Sequence, residues 1–236
     1  MIASIVQPPY LPWLGFFDRV LKSDVLVLLD TVAMDRNSRT KFLNRNKLRT
    51  KAGWTWVTVP LAKAPRDQLI GEIQINNEEA WRERHWRTIE ANYRRARHFA
   101  DYAAPLEVVY GRSWPRLVDL NRALLDILLR AFGMAPRIEL ASELDAHGKG
   151  ASLLIDICRR LGVKTYISGP FGRDYIDRND FKAAGIELLF HDYVHPCYEQ
   201  AFAGFEPCMS GLDLLLNQGP RGRELLTAPP ESLVRE

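Results

Sequence analysis

The sequence predicts an α/β fold: a mainly parallel sheet with flanking helices, a helical middle segment and a small β insertion. Three observations predict it. The first thirty or so residues alternate strand, helix and strand; the last third returns to that alternation; and the residues between them repeat apolar positions at helical spacing. With 236 residues, 47% of them hydrophobic and 26% charged, the chain can bury the core of one α/β domain spanning 1–236.

Ala3-Ser4-Ile5-Val6 is a short strand, ended by Gln7-Pro8-Pro9 because proline cannot donate to a ladder. Pro12 precedes Trp13, Leu14, Phe16, Phe17, Val20 and Leu21, which are spaced for a two-turn helix with one apolar face. Val25 to Leu29 is a continuous apolar run, typical of a strand covered on both faces, and it ends at Asp30. Such a βαβ unit predicts a right-handed crossover and a ligand beyond the carboxyl ends of the strands, at Gln7 to Trp13 and at Asp30.

Gly53 to Pro60 alternates Trp and Thr in the β manner, and Ile70 to Ile75 suggests a second strand, which together predict a basic β insertion over 36–75. A helical subdomain follows over 79–136. Trp81, His85 and Ile89 share one helix face; Ser113 is placed to cap a helix with Pro115 in its first turn; Leu117, Asn121, Leu124 and Leu128 form one stripe. Asn121 interrupts that stripe and either satisfies a buried backbone group or points into a site. Then come a helix from Leu153 to Leu161 stopped by Gly162, a strand from Lys164 to Ile167, a helix around Asp180 to Ala184 stopped by Gly185, and a last strand from Ile186 to Phe190.

The net charge of +3 is unevenly placed: nine Lys or Arg and no acid occur from Arg36 to Arg66 (Arg36, Arg39, Lys41, Arg45, Lys47, Arg49, Lys51, Lys63 and Arg66). That run suits an anionic partner such as a nucleotide or nucleic acid, or else it is a solvated face. No apolar run reaches the roughly 18 residues of a membrane span. The start carries no basic n-region, so the expectation is a cytoplasmic protein. Cys158, Cys197 and Cys208 have neither disulfide-framework nor zinc spacing, and no structural metal is expected.

Ser168-Gly169-Pro170-Phe171-Gly172-Arg173 follows a strand, where a Gly-containing turn can present N–H groups to an anion; it is neither a Walker A loop nor a dinucleotide fingerprint, and an ordinary loop is the competing reading. His195 is a candidate general base because its ordinary pKa near 6.5 suits proton transfer at neutral pH, with a hydrogen-bonded structural histidine as the competitor. His191 precedes it at metal-binding spacing, but in a strand. Ser210 with Asp213 reads as a helix cap rather than a nucleophile, since no Gly-x-Ser-x-Gly turn is present.

Several of these segments together resemble the WbqC-like family: Gln7 to Phe17, Asp24 to Asp30, Asn44-Arg45-Asn46, Tyr166-Ile167-Ser168-Gly169, Asp174-Tyr175, Tyr198-Glu199-Gln200, and Ser210 to Leu215 with Asn217 and Gly219. They occur in family order over nearly the whole chain. The resemblance implies a place in bacterial surface-polysaccharide, especially O-antigen, biosynthesis, and modification of amino sugars with acyl or aminoacyl groups. The N-terminal half-unit is also loosely similar to nucleotidyl-transferase folds that bind ATP at the end of the first strand. Those usually carry two histidines in the first loop, where this chain has Gln7, Tyr10 and Trp13.

The functional expectation is a transferase or ligase that forms an amide on a nucleotide-linked amino sugar, with ATP and its magnesium as the expected activator of an amino acid donor. Trp13 or Tyr10 would stack a ring and Gln7 would orient it. Arg45 and Arg173 would hold phosphates. His195 or His85 would take the amine proton, and Asp30 would orient the amine. Asn44, Asn46, Ser168, Gly169, Tyr175, Tyr198 and Gln200 complete the expected substrate-binding set. The alternatives are a non-catalytic nucleotide or nucleotide-sugar binding protein, and a transferase that takes its donor from aminoacyl-tRNA bound along Arg36 to Lys51.

Overall fold

In a strand covered on both faces, neighbouring residues serve opposite cores. Ala3 and Ile5 of β1 (Ile2–Val6) and Val25 and Val27 of β2 (Val25–Leu28) serve one core; Leu26 and Leu28 serve the other. The computed structural model describes residues 1–34, 42–65, 67–227 and 233–234. The second strand-rich region, over 45–58, supplies β3 (Arg45–Thr50) and β4 (Gly53–Thr58), an antiparallel pair outside the main sheet. The main sheet adds β5 (Arg137–Leu140), β6 (Thr165–Ser168), β7 (Glu187–His191) and the short β8 (Leu233–Val234), in the order β5-β2-β1-β6-β7-β8. Every pairing in it is parallel except that of β7 with β8. The fold is therefore the α/β, mainly parallel architecture that the sequence predicts.

α5 (Ala151–Arg160) and α6 (Arg178–Ala183) cover one face, burying Leu153, Leu154, Ile157 and Phe181. Gly162 (φ +68°) and Gly185 (φ +71°) follow them in the left-handed region, where a side chain would be strained, which is why each helix stops there. The other face carries α1 (Leu14–Leu21), α2 (Trp81–Tyr93), α3 (Phe99–Gly111), α4 (Leu117–Ala131), α7 (Gly211–Gln218) and α8 (Gly222–Leu226) around a larger core. α1 contributes Leu14, Phe16, Phe17 and Val20 to it. No helix among the described residues is long and apolar enough to cross a membrane.

Two local expectations give way to tertiary hydrogen bonds. Ile70 to Ile75 is not a strand: Ile70–Glu72 is a single 3-10 turn, because the N–H groups of Ile70 and Gly71 bond to the carbonyls of Val32 and Asp30, in the loop after β2. Ser113 does not cap a helix. α4 begins at Leu117 with Arg116 at the N-cap, since bonds from Ile75 N–H to the Pro115 carbonyl and from Leu117 N–H to the Ile73 carbonyl hold the preceding segment extended. Asn121 satisfies buried backbone, donating through Nδ2 to the carbonyls of Pro8 (2.9 Å) and Leu43 (2.8 Å). Of the basic run, Arg36, Arg39, Lys41 and Arg66 lie outside the described residues.

Candidate functional site

Taken along the chain, the parallel strands stand in the order third, second, first, fourth, fifth. The connections leave β1 in opposite directions, and the crevice beyond the carboxyl ends at that switch point is where open α/β sheets bind ligands. Here the switch lies between β1 and β6, so the crevice is bounded by Gln7, just after β1, and by Ser168-Gly169 at the end of β6.

α1 crosses this rim. Arg19, half-buried, reaches Gly169 closely enough that a Cβ there would lie 3.1 Å from its Nη1. The absent side chain is what admits the guanidinium. Desolvation lowers the Arg19 pKa, partly offset by Tyr166 and Tyr175, and its guanidinium has no hydrogen bond or ion pair among the described residues. A half-buried cation with no acceptor from the described residues keeps its remaining contacts with water, which an anion can replace.

The neighbouring Asp18 is fully buried (0% exposed) and accepts from His191 Nε2 at 2.7 Å and from the Lys22 ammonium. His191 (1% exposed) ends β7, one residue beyond the Ser168–Phe190 pair that fixes its place beside Gly169. With Nε2–H given to Asp18, Nδ1 is the basic ring nitrogen. Tyr193 stacks on His191 (centroids 5.8 Å apart) and meets Trp13 edge-on (5.6 Å). The Tyr193 hydroxyl is buried without a hydrogen-bond partner among the described residues, and burial, helped by the charge of Asp18, pushes its pKa up.

The remaining predicted residues are dispersed. Tyr10 is fully buried, its hydroxyl bonded to His85 Nδ1 (2.8 Å) and Tyr110 (2.7 Å), so it packs in the core rather than offering a ring to solvent. His85 is committed on both nitrogens, with Nε2 at 3.2 Å from the Thr58 carbonyl, and burial lowers its pKa to about 4. His195 is committed likewise: Nδ1 donates to the Pro196 carbonyl (2.9 Å) and Nε2 accepts from Cys208 N–H (3.2 Å); burial lowers its pKa. Asp30 accepts from Ser142 N–H (2.9 Å) and Oγ (2.6 Å), tying the ends of β2 and β5. Arg173 is paired with Asp192 through both terminal nitrogens.

Asn44 donates to the Val59 carbonyl, and Asn46, buried, donates to the Leu11 carbonyl (2.5 Å). Leu11 sits at φ +45°, a conformation that costs a non-glycine residue about 1–3 kcal/mol, and Asn46 pins it there. Arg45 stacks over Trp56 on the hairpin. Gln7 and Tyr175 are exposed at the rim, and Ser168 is buried beneath it. Of the predicted set, Gln7, Ser168 and Gly169 stand at the ends of β1 and β6 that bound the crevice, and Trp13 meets Tyr193. Arg19, Asp18 and Tyr193 escaped notice because nothing in their local spacing marks them; His191 was visible only as a histidine ending a strand.

A second polar cluster surrounds Asp213, also fully buried. Its carboxylate accepts from Tyr93 (2.8 Å), Tyr198 (2.7 Å) and Gln200 Nε2 (2.9 Å), while Gln200 Oε1 accepts from Arg49 Nε (3.2 Å). Burial raises the Asp213 pKa against the pull of those partners. Ser210 occupies the N-cap position of α7 but forms no side-chain cap bond; its Oγ is buried without a partner among the described residues. Asp213 therefore serves the tyrosines rather than a capping box.

Concavities of about 380 and 390 Å3 lie elsewhere, one between α6 and the start of β7, the other beside Leu61 to Ile73, and neither is lined by Arg19, His191 or Tyr193. Among the described residues no three His, Cys, Asp or Glu are grouped to hold a metal ion.

Comparison with known proteins agrees with the chain-wide reach of these features. No solved structure matches the chain. It is 33% identical over 226 residues to a Mycobacterium tuberculosis protein described as "Uncharacterized protein Rv1507c", covering 94% of this chain and 96% of that one. The model of the WbqC-like protein family matches residues 7–225, from the glutamine that ends β1 to the last turn of α8, and the chain belongs to that family.

Proposed function

We propose that this protein is a transferase that forms an amide on an amino sugar carried by a nucleotide, with the phosphates bound at the switch point. The observation that carries this reading is the Arg19 guanidinium, held against Gly169 with no hydrogen bond or ion pair from the described residues, at the edge where α/β sheets receive phosphates. Gln7 and Trp13 line the approach for the ring portion of the ligand. An amine must lose its proton before it can attack, because an ammonium has no lone pair. The proton passes to His191 Nδ1, Asp18 holds the ring through Nε2–H, and the amine nitrogen then bonds to the acyl carbon as the donor's leaving group departs.

ATP supplies, when it serves, the activation of the donor carboxyl. The rim suits its phosphates. Arg19 would hold those phosphates, while Asp18 is committed to Lys22 and His191.

The test is a thermal-shift panel of ATP, nucleoside diphosphates and nucleotide-linked amino sugars, followed by mass spectrometry for an amide product. Stabilisation by a phosphate-bearing ligand, lost in Arg19→Ala, is expected. His191→Gln should keep that binding within about twofold and lose product by at least about a hundredfold. A panel without effect, or stabilisation untouched by Arg19→Ala, overturns the site; binding that never yields product leaves the site and removes the transferase.

A further inference from the structure

The β3–β4 hairpin has two unlike faces. Strand alternation and the register Lys47↔Trp56 and Arg49↔Trp54 put Asn46, Leu48 and Val57 on the inner face, all buried. The outer face carries Arg45, Lys47, Trp54 and Trp56. Lys47 Nζ lies 3.9 Å from the centre of the Trp54 ring, Arg45 Cζ lies 4.3 Å from that of Trp56, and the two indoles meet edge-on at 5.7 Å. Arg49, on the same face, is buried beneath the 200–206 loop and marks where the platform ends.

Trp54 is 42% exposed. A hairpin that needed these rings for its own stability would turn them inward, where Leu48 and Val57 already pack. The arrangement instead leaves indole surface in water between two cations, and Arg45 Nε is buried with no hydrogen-bond partner among the described residues. Lys51 is exposed at the turn; Glu206 comes up against Gly53 at that end. Flat rings flanked by fixed positive charges match a chain of flat rings joined by fixed negative ones.

We infer that the outer face of this hairpin binds single-stranded nucleic acid, a base stacking on Trp54 and the phosphates meeting Arg45 and Lys47. The inference stands apart from the switch-point reading, since it shares no residue with it.

The experiment is fluorescence anisotropy of the full chain with labelled single-stranded RNA and DNA of about 12 nucleotides, between about 50 and 200 mM salt. Binding should fall steeply with salt, and Lys47→Gln should reduce the log–log slope by about 0.7. Trp54→Ala should weaken binding at least about fivefold and Trp54→Phe should restore most of it. Unaltered melting of each variant separates a lost surface from a lost fold, and Trp54→Ala should keep its response to the nucleotide panel. No binding at low salt, salt-insensitive binding, or equal binding by Trp54→Ala and the parent overturns the inference. Capture of an acidic polysaccharide such as heparin without any oligonucleotide binding also overturns it, assigning the face to acidic sugars.

Discussion

The Asp213 cluster and the Arg19 rim are built from the same kinds of residue, yet one is closed and the other open. Around Asp213 each named donor has an acceptor: two tyrosines and a glutamine share one carboxylate, and Arg49 is spread over Gln200 and backbone carbonyls. At the rim, no described residue bonds to the Arg19 guanidinium, and the Tyr193 hydroxyl is buried with no hydrogen-bond partner among the described residues. A closed buried network fixes one packing; an open one holds a cost that a ligand can relieve. The Asp213 cluster ties the hairpin, α2, α7 and the 198–206 loop together, whereas the rim residues face the crevice.

The widest gap between the two regions should appear on losing the shared carboxylate. Asp213→Ala strands three buried donors and should cost about 3–5 kcal/mol in urea unfolding, whereas Asp213→Asn, which keeps an acceptor oxygen, should cost less. A cost below about 1 kcal/mol would erase the distinction.

His85 sharpens the comparison through pH. Its folded pKa of about 4 lies below the unfolded value near 6.5, so the unfolded chain binds the extra proton; stability is fully present above about 6.5 and is lost as pH falls toward 4. The loss should approach about 3 kcal/mol. His85→Gln should remove that part of the pH slope, read from unfolding midpoints at pH 7, 5 and 4 against the parent.

His195→Ala removes the acceptor for Cys208 N–H and should cost about 1 kcal/mol. It should leave ligand stabilisation unchanged; loss of product with intact binding would restore His195 as the base.

The smallest effect on stability belongs to the residue placed at the ligand. Arg19→Met should change unfolding free energy by no more than about 1 kcal/mol in either direction, because it trades an unpaired cation for an apolar chain. Combined with lost phosphate binding, that result separates the open cluster from the closed one. A large destabilisation would make Arg19 structural.

Residues that matter through neighbours in sequence were legible. The apolar run Val25 to Leu28 needed only its composition, and Gly162 and Gly185 announced helix ends because few other residues tolerate positive φ. The positions of Gln7, Ser168 and Gly169 beside the ends of β1 and β6 were legible because strand ends can be counted. Tyr10, Asn46, Tyr198 and Gln200 were equally visible but were read as contacts to ligand, and the structure gives each a hydrogen-bond partner inside the protein. Nothing short-range distinguishes a tyrosine that meets a buried aspartate from one that meets a substrate.

By itself, then, the sequence determined the alternation of strand and helix, the parallel sheet and the chain ends that bound its crevice, since these follow from periodicity and backbone geometry over a few residues. Only the tertiary structure decided which polar groups are spent. Asp18 finds His191 across 173 positions and Tyr93 finds Asp213 across 120, while Arg19 finds no acceptor among the described residues, and whether a buried group is satisfied depends on what the rest of the chain brings to it.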